Sequence, residues 1–149
     1  MSGVIEMRSF EQSLPMALLR AREASMRLFR PMLAQHDLTE QQWRVLRALA
    51  AGERPLEIGD VAARTLLLGP SLARILARLR DQGLIDRRPV AHDQRRVEVW
   101  LTDEGRDLVA TIAPRSEALY GHIEQHLGQA RFTQLMDLLD EMAKLEPQR

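Results

Sequence analysis

Ser71, Arg74 and Arg78 recur at three- and four-residue spacing among Leu72, Ile75, Leu76 and Leu79. On a helix this spacing gives a polar, cationic edge beside an apolar stripe. Hydroxyls and guanidiniums projected from such an edge suit phosphate oxygens, and an arginine can also bind guanine through two hydrogen bonds. Arg95 follows the polar run His92-Asp93-Gln94. A guanidinium where a hairpin turns back suits a narrow, electronegative minor groove. Asp93 is a better turn-capping carboxylate than a phosphate contact. Arg64 and Thr65, just ahead of the helix, are weaker phosphate candidates. Taken alone, Arg74 or Arg78 reads better as part of the solvated arginine face of an ordinary amphipathic helix, so the neighbouring elements decide.

Those neighbours have a definite order. Ile58, Val61 and Ala62 mark a short apolar helix, and a turn region ends at Gly69-Pro70. Pro70 suits a first helical turn, where its missing N–H is not needed. Gly83 can stop the helix in a left-handed conformation, and Leu84-Ile85 begin a strand. Val97, Val99 and Leu101 alternate with Arg96, Glu98 and Trp100, the period of a second strand. Helix, turn, helix and hairpin is the order of a winged helix-turn-helix, whose second helix enters the DNA major groove. In this frame Arg87, Arg88 and Arg96 read better as strand-face charges than as contacts. Pro55-Leu56 can add a minimal strand against the wing. Thr39 with Gln42 forms a capping box for one flanking helix, and Thr102 caps another.

The chain has 149 residues, no cysteine and a formal net charge of zero. A thiol sensor, a disulfide scaffold and a Cys-ligated zinc site are excluded. The length suits one domain. No apolar run reaches the length of a membrane span and no signal peptide is visible, so a soluble, cytoplasmic protein is expected. The zero charge hides an asymmetry. Residues 64–100 hold eight arginines and four acids, whereas residues 101–149 hold five basic and nine acidic residues. A basic middle beside an acidic tail fits a DNA module carried on a separate scaffold.

Asp93-x-Arg95, Val99-x-Leu101-Thr102-x-x-Gly105, and Gly83-Leu84-Ile85 after an arginine-bearing helix together resemble the MarR (multiple antibiotic resistance regulator) family. The similarity spans essentially the whole chain. Ala21-Arg22-Glu23-Ala24, Phe29-Arg30-Pro31 and the run Leu38 to Leu46 resemble the branch that represses homoprotocatechuate (4-hydroxyphenylacetate) degradation operons. The resemblance implies a mostly α fold with a small β-wing, as a single domain over 1–149. Its winged helix-turn-helix, 37–102, is flanked by helices over 9–36 and 103–146 that interlock in a homodimer. Wide apolar faces on those flanking helices, which the motif alone cannot cover, point the same way. Two recognition helices imply a pseudo-palindromic double-stranded operator with half-sites about 34 Å apart. The function implied is repression of aromatic-acid catabolic genes, relieved by a small aromatic carboxylate. The alternative is a regulator of stress or efflux genes with a different effector or none.

Arg22 lies on the apolar face of the first helix with Leu18, Ser25, Phe29 and His36, where an unpaired charge is costly. Either it pairs with a carboxylate of a neighbouring helix or a second subunit, or it awaits the carboxylate of a small aromatic acid. In the second case Ser25, His36, Trp43 and Arg47 could supply a hydroxyl, a ring partner, a wall and a second cation. His122 and His126 stand four residues apart, but two ligands are not a zinc site and no metal or cofactor is expected. No phosphate loop, HExxH or nucleophile motif is present, so an enzyme is not expected. A pure protein-interaction module of winged-helix type remains, and salt-dependent binding to a duplex separates it from a DNA reader.

Overall fold

The structure, a computed structural model, describes residues 5–148. The chain forms two compact units, the first ending at Ile112 and the second starting at Ala113. The first opens with a short 3-10 turn over Phe10–Gln12, then α1 (Leu14–Ala34), α2 (Glu40–Ala50), β1 (Leu56–Glu57), α3 (Ile58–Thr65), α4 (Gly69–Asp81), β2 (Ile85–Val90) and β3 (Asp93–Leu101). It closes with the first turns of α5 (Asp103–Leu127); the second unit holds the rest of α5 and α6 (Gln129–Met142).

The helix expected over 9–36 is shorter at both ends. Pro15 lacks the N–H that a helix continuing from Phe10 would need, so α1 starts afresh behind Ser13. At the other end Asp37 takes a positive φ of 54°, and the Leu38 amide donates to the Leu33 carbonyl at 3.1 Å. That six-residue closure ends the helix. The next helix starts as its sequence predicts. The Gln42 amide donates to Thr39 Oγ1 at 3.1 Å, and the Thr39 amide donates to Gln42 Oε1 at 3.0 Å. Glu57 is the N-cap of α3.

The three strands form one antiparallel sheet in the order β1-β3-β2. Leu56 faces Val99 across the first pair, and Ile85 faces Leu101 across the second. Pro89 is confined to edge strand β2, where its lost donor does little harm, and the register shifts just after it, at Val90. The core of this unit gathers Phe29, Met32 and Leu33 from α1 and Trp43, Val45, Leu46 and Leu49 from α2. Leu38, Val61, the α4 residues Leu72, Leu76 and Leu79, the sheet residues Ile85, Val99 and Leu101, and Ile112 of α5 complete it. The apolar stripe of α4 is thus the side that holds it in place.

A compact joint fixes α4 to the start of α5. Gly83, at φ 74°, and the Leu84 amide bonded to the Leu79 carbonyl terminate the α4 segment. Thr102 Oγ1 donates to the Gly83 carbonyl at 2.6 Å and accepts from the Gly105 amide at 3.1 Å. One hydroxyl therefore caps α5 and ties it to the end of α4.

In the second unit, α6 has no buried residue. Leu135, Met136 and Leu138 are 40%, 44% and 55% exposed. His122 and His126 are both exposed, and among the described residues no group of three or more potential metal ligands gathers. No helix among the described residues is long and apolar enough to cross a membrane.

Candidate nucleic-acid interface

Residues on α4 opposite the buried leucines form the outer edge of the motif. Arg74 and Arg78 are exposed and Ser71 is half-buried. With Leu67, and with Thr39 and Gln41 from the start of α2, they line a groove of about 370 Å³. Leu68 holds the N-cap position of α4 and offers no side-chain cap, so the first amides of the helix are not closed off by its own chain. Arg44 steadies this arrangement from behind. Its Nη1 donates to the Thr65 carbonyl at 2.9 Å and its Nη2 to Glu40 at 3.0 Å, bracing the end of α3 against α2.

The arginines of the basic segment divide into two classes. Arg80 faces Asp86 at 3.8 Å, and Arg88 faces Glu98 at 3.4 Å while lying over the Trp100 ring at 5.2 Å. Arg96 bonds Glu57 through Nε at 3.0 Å and through Nη2 as well. This contact holds the Glu57 carboxyl below its usual range and raises the Arg96 guanidinium. These three side chains serve the sheet. Arg64, Arg74, Arg78, Arg87 and Arg95 make no side-chain ion pair among the described residues and are exposed. Asp93 accepts from the Arg95 amide at 3.0 Å, so it shapes the wing tip and leaves the guanidinium free.

Thr65 is a correction. It is 1% exposed and its hydroxyl donates to the Val61 carbonyl at 2.6 Å. It satisfies the end of α3 from inside and cannot reach a phosphate. Arg87, grouped by its sequence with Arg88 and Arg96 as a strand-face charge, differs from them in having no carboxylate partner among the described residues. Strand parity separates them: Arg87 lies opposite Val99, on the face of Ile85, whereas Arg88 lies opposite Glu98 on the other face.

Of the residues suggested for a small acid, Arg22 and Ser25 lie on α1, Trp43 and Arg47 on α2, and His36 in the turn between them. Arg22 is not a vacant cation. It contacts Glu40 through Nη2 and approaches Glu23 at 3.8 Å. Arg30 bonds Glu23 through two nitrogens at 2.9 Å, lowering the Glu23 carboxyl, and reaches Glu40 at 3.3 Å. Glu40 therefore gathers Arg22, Arg30 and Arg44 where α1 meets α2. The carboxylate partner from a neighbouring helix, one of the two alternatives for Arg22, is present within the chain. Ser25 donates to the Arg22 carbonyl at 3.1 Å. His36 is half-buried, Trp43 is buried, and Arg47 is exposed with no side-chain partner among the described residues. Glu40, Trp43 and Arg47 stand three and four residues apart and share one face of α2.

Comparison with known proteins agrees with this architecture. The MarR family profile matches residues 36–96. The HTH-type transcriptional regulator FarR of Neisseria gonorrhoeae is 42% identical over 93% of this chain and 94% of its own. The homoprotocatechuate degradative operon repressor of Escherichia coli is 42% identical over 89% of each chain. The crystal structure of NadR in complex with 4-hydroxyphenylacetate superposes with a TM-score of 0.82 at 42% identity, covering 95% of this chain and 100% of that one. The motif order, the three-stranded wing and these relatives agree: the chain belongs to the MarR family of DNA-binding, winged helix-turn-helix transcriptional regulators.

Proposed function

We propose that this protein is a homodimeric repressor that reads a pseudo-palindromic operator through α4 and the wing, and that a small aromatic carboxylate releases it. One observation carries the DNA contact set. Arg64, Arg74, Arg78 and Arg95, with Ser71, present unneutralised polar groups from the helix-turn-helix and the wing tip, while neighbouring Arg80, Arg88 and Arg96 are tied to carboxylates. Arg87 joins the contact set. Free guanidiniums suit phosphates and base edges; paired ones must first break a bond.

The dimer rests on exposed apolar area. Phe10, Leu14 and Leu19 at the start of the chain are 67%, 51% and 49% exposed, and no residue of α6 is fully buried. A second copy covering these faces is the simplest closed arrangement, and sedimentation at twice the chain mass is the expected result.

For the effector, Trp43 supplies a wall and Arg47 the free guanidinium. Arg22, engaged by Glu40, can take part only by exchanging that carboxylate for the ligand's. Ser25 and His36 flank it. A ligand that binds the non-operator state better shifts the population away from DNA. The chemistry of the ligand follows NadR, which holds 4-hydroxyphenylacetate, and the repressor relative of a homoprotocatechuate operon. FarR is equally identical and its name specifies no aromatic substrate, so a role in regulating other genes stands as the alternative.

A thermal-shift panel of hydroxylated aromatic acids separates these readings. At 4-hydroxyphenylacetate concentrations about 100-fold above Kd, the wild type should gain about 2.7 kcal/mol by mass action. Arg47→Ala should lose the response, and Arg22→Ala should reduce it. A wild type unmoved by every acid in the panel would leave the alternative regulator standing.

A further inference from the structure

Two leucines break local rules at the tip of the helix-turn-helix. Leu66 holds a left-handed backbone at φ 56° and ψ 31°, with its side chain 84% exposed. Such a conformation strains any residue with a Cβ and is relaxed for glycine. Leu68 holds the N-cap of α4, where serine, threonine, aspartate or asparagine would bond the open amides, and it is 78% exposed. Neither side chain is among the core residues, so core packing explains neither leucine. Both local choices disfavour the folded state, and such conflicts concentrate where function demands them.

Position supplies the demand. The N-terminal end of a recognition helix is the part that approaches base edges. Leu67, between the two, lines the same groove as Ser71, Arg74 and Arg78. The exposed leucines thus continue the surface that carries the proposed DNA contacts. An aliphatic side chain cannot bind a phosphate or a polar base edge. The one apolar group that the major groove presents is the C5-methyl of thymine.

We propose that Leu66 and Leu68 read thymine methyl groups in each operator half-site, adding apolar recognition to the polar contacts of Ser71 and Arg74. This rests on the DNA-binding surface proposed above and names a base that it recognises. Burying a methyl group against a side chain is favourable by an amount that corresponds to about three- to fivefold in affinity. The contact therefore sharpens sequence preference without adding charge or salt dependence.

The test uses the full-length protein and a duplex selected by it from a random pool. Each thymine of the duplex is replaced in turn by uracil, which removes only the methyl group. Wild type should lose about three- to fivefold in affinity at one or more positions in each half-site. The double variant L66G/L68S should bind the thymine and uracil duplexes alike. Its thermal unfolding should occur at or above the wild-type temperature, because a strained leucine has been replaced by glycine and a cap supplied. Wild type indifferent to every uracil, or a double variant that keeps the same uracil losses, would overturn the proposal. The single variants L66G and L68S carry the same comparison separately, so the assignment is still tested if the double variant folds poorly. Failure of the underlying DNA reading looks different: no duplex would be selected, and none bound in a salt-dependent way.

Discussion

Arg74→Ala should weaken operator binding by about 1–3 kcal/mol, roughly fivefold to more than a hundredfold, and relax preference at one base pair. Arg74 is exposed on the outer edge of α4 and pairs with no carboxylate among the described residues. Arg95→Ala should also cause a strong loss, because the wing tip would no longer bring a cation to the minor groove. The two controls differ in kind. Arg88 lies in the same wing but is held by Glu98 and stacked on Trp100, so Arg88→Ala should change affinity far less than Arg95→Ala. Arg131, exposed in α6, should be neutral when replaced by alanine. Fluorescence-anisotropy titrations on one fragment at one salt concentration rank the four variants. Equal losses across all four would mean that binding follows total charge rather than this surface.

Gly105→Ala should be the most damaging single methyl addition in the winged-helix unit. A Cβ at this position would lie 2.1 Å from the Leu84 carbonyl oxygen, 3.1 Å from its carbon and 3.3 Å from Leu101 Cδ2. The carbonyl cannot simply retreat, because it accepts the Thr102 amide at 3.1 Å. Relief must come from moving the start of α5 or the end of the α4 segment. Overpacking of this kind costs about 1–3 kcal/mol, and loss of a backbone hydrogen bond adds about 1 kcal/mol. A fall in Tm of roughly 10 °C is expected for a chain of this size. DNA affinity should fall with it, since the same joint sets α4 against α5. A Tm within about 2 °C of wild type would show that the joint has slack that these distances deny.

The helix-turn-helix and wing were legible because short-range chemistry decides them. Thr39 and Gln42 cap α2, Gly83 carries the positive φ, and Thr102 caps α5, each as its residue type predicts. Alternation of Val97, Val99 and Leu101 marked the strand that lies at the centre of the sheet. Long-range pairing was less legible. That Arg96 reaches Glu57, 39 residues earlier, depends on a register that no local pattern encodes. Nor could spacing show that Glu40 collects three arginines, which turns Arg22 from a lone charge into part of an ion-pair cluster. Thr65 failed as a contact for a simple reason. A threonine in the last turn of a helix can bond backward to the carbonyl four residues earlier, and this one does. The exposure of Leu66 and Leu68 was hidden because an apolar run in a turn region looks like core until its backbone angles are known.

The most direct measurement of the central claim is the salt dependence of binding to a selected operator duplex. Log K should fall linearly and steeply with log salt for the wild type, as several arginine–phosphate contacts require. Arg64→Ala, which removes one exposed guanidinium just ahead of α4, should make the slope shallower by about one. A slope near zero, or no binding to any duplex at low salt, would contradict a surface built to read DNA.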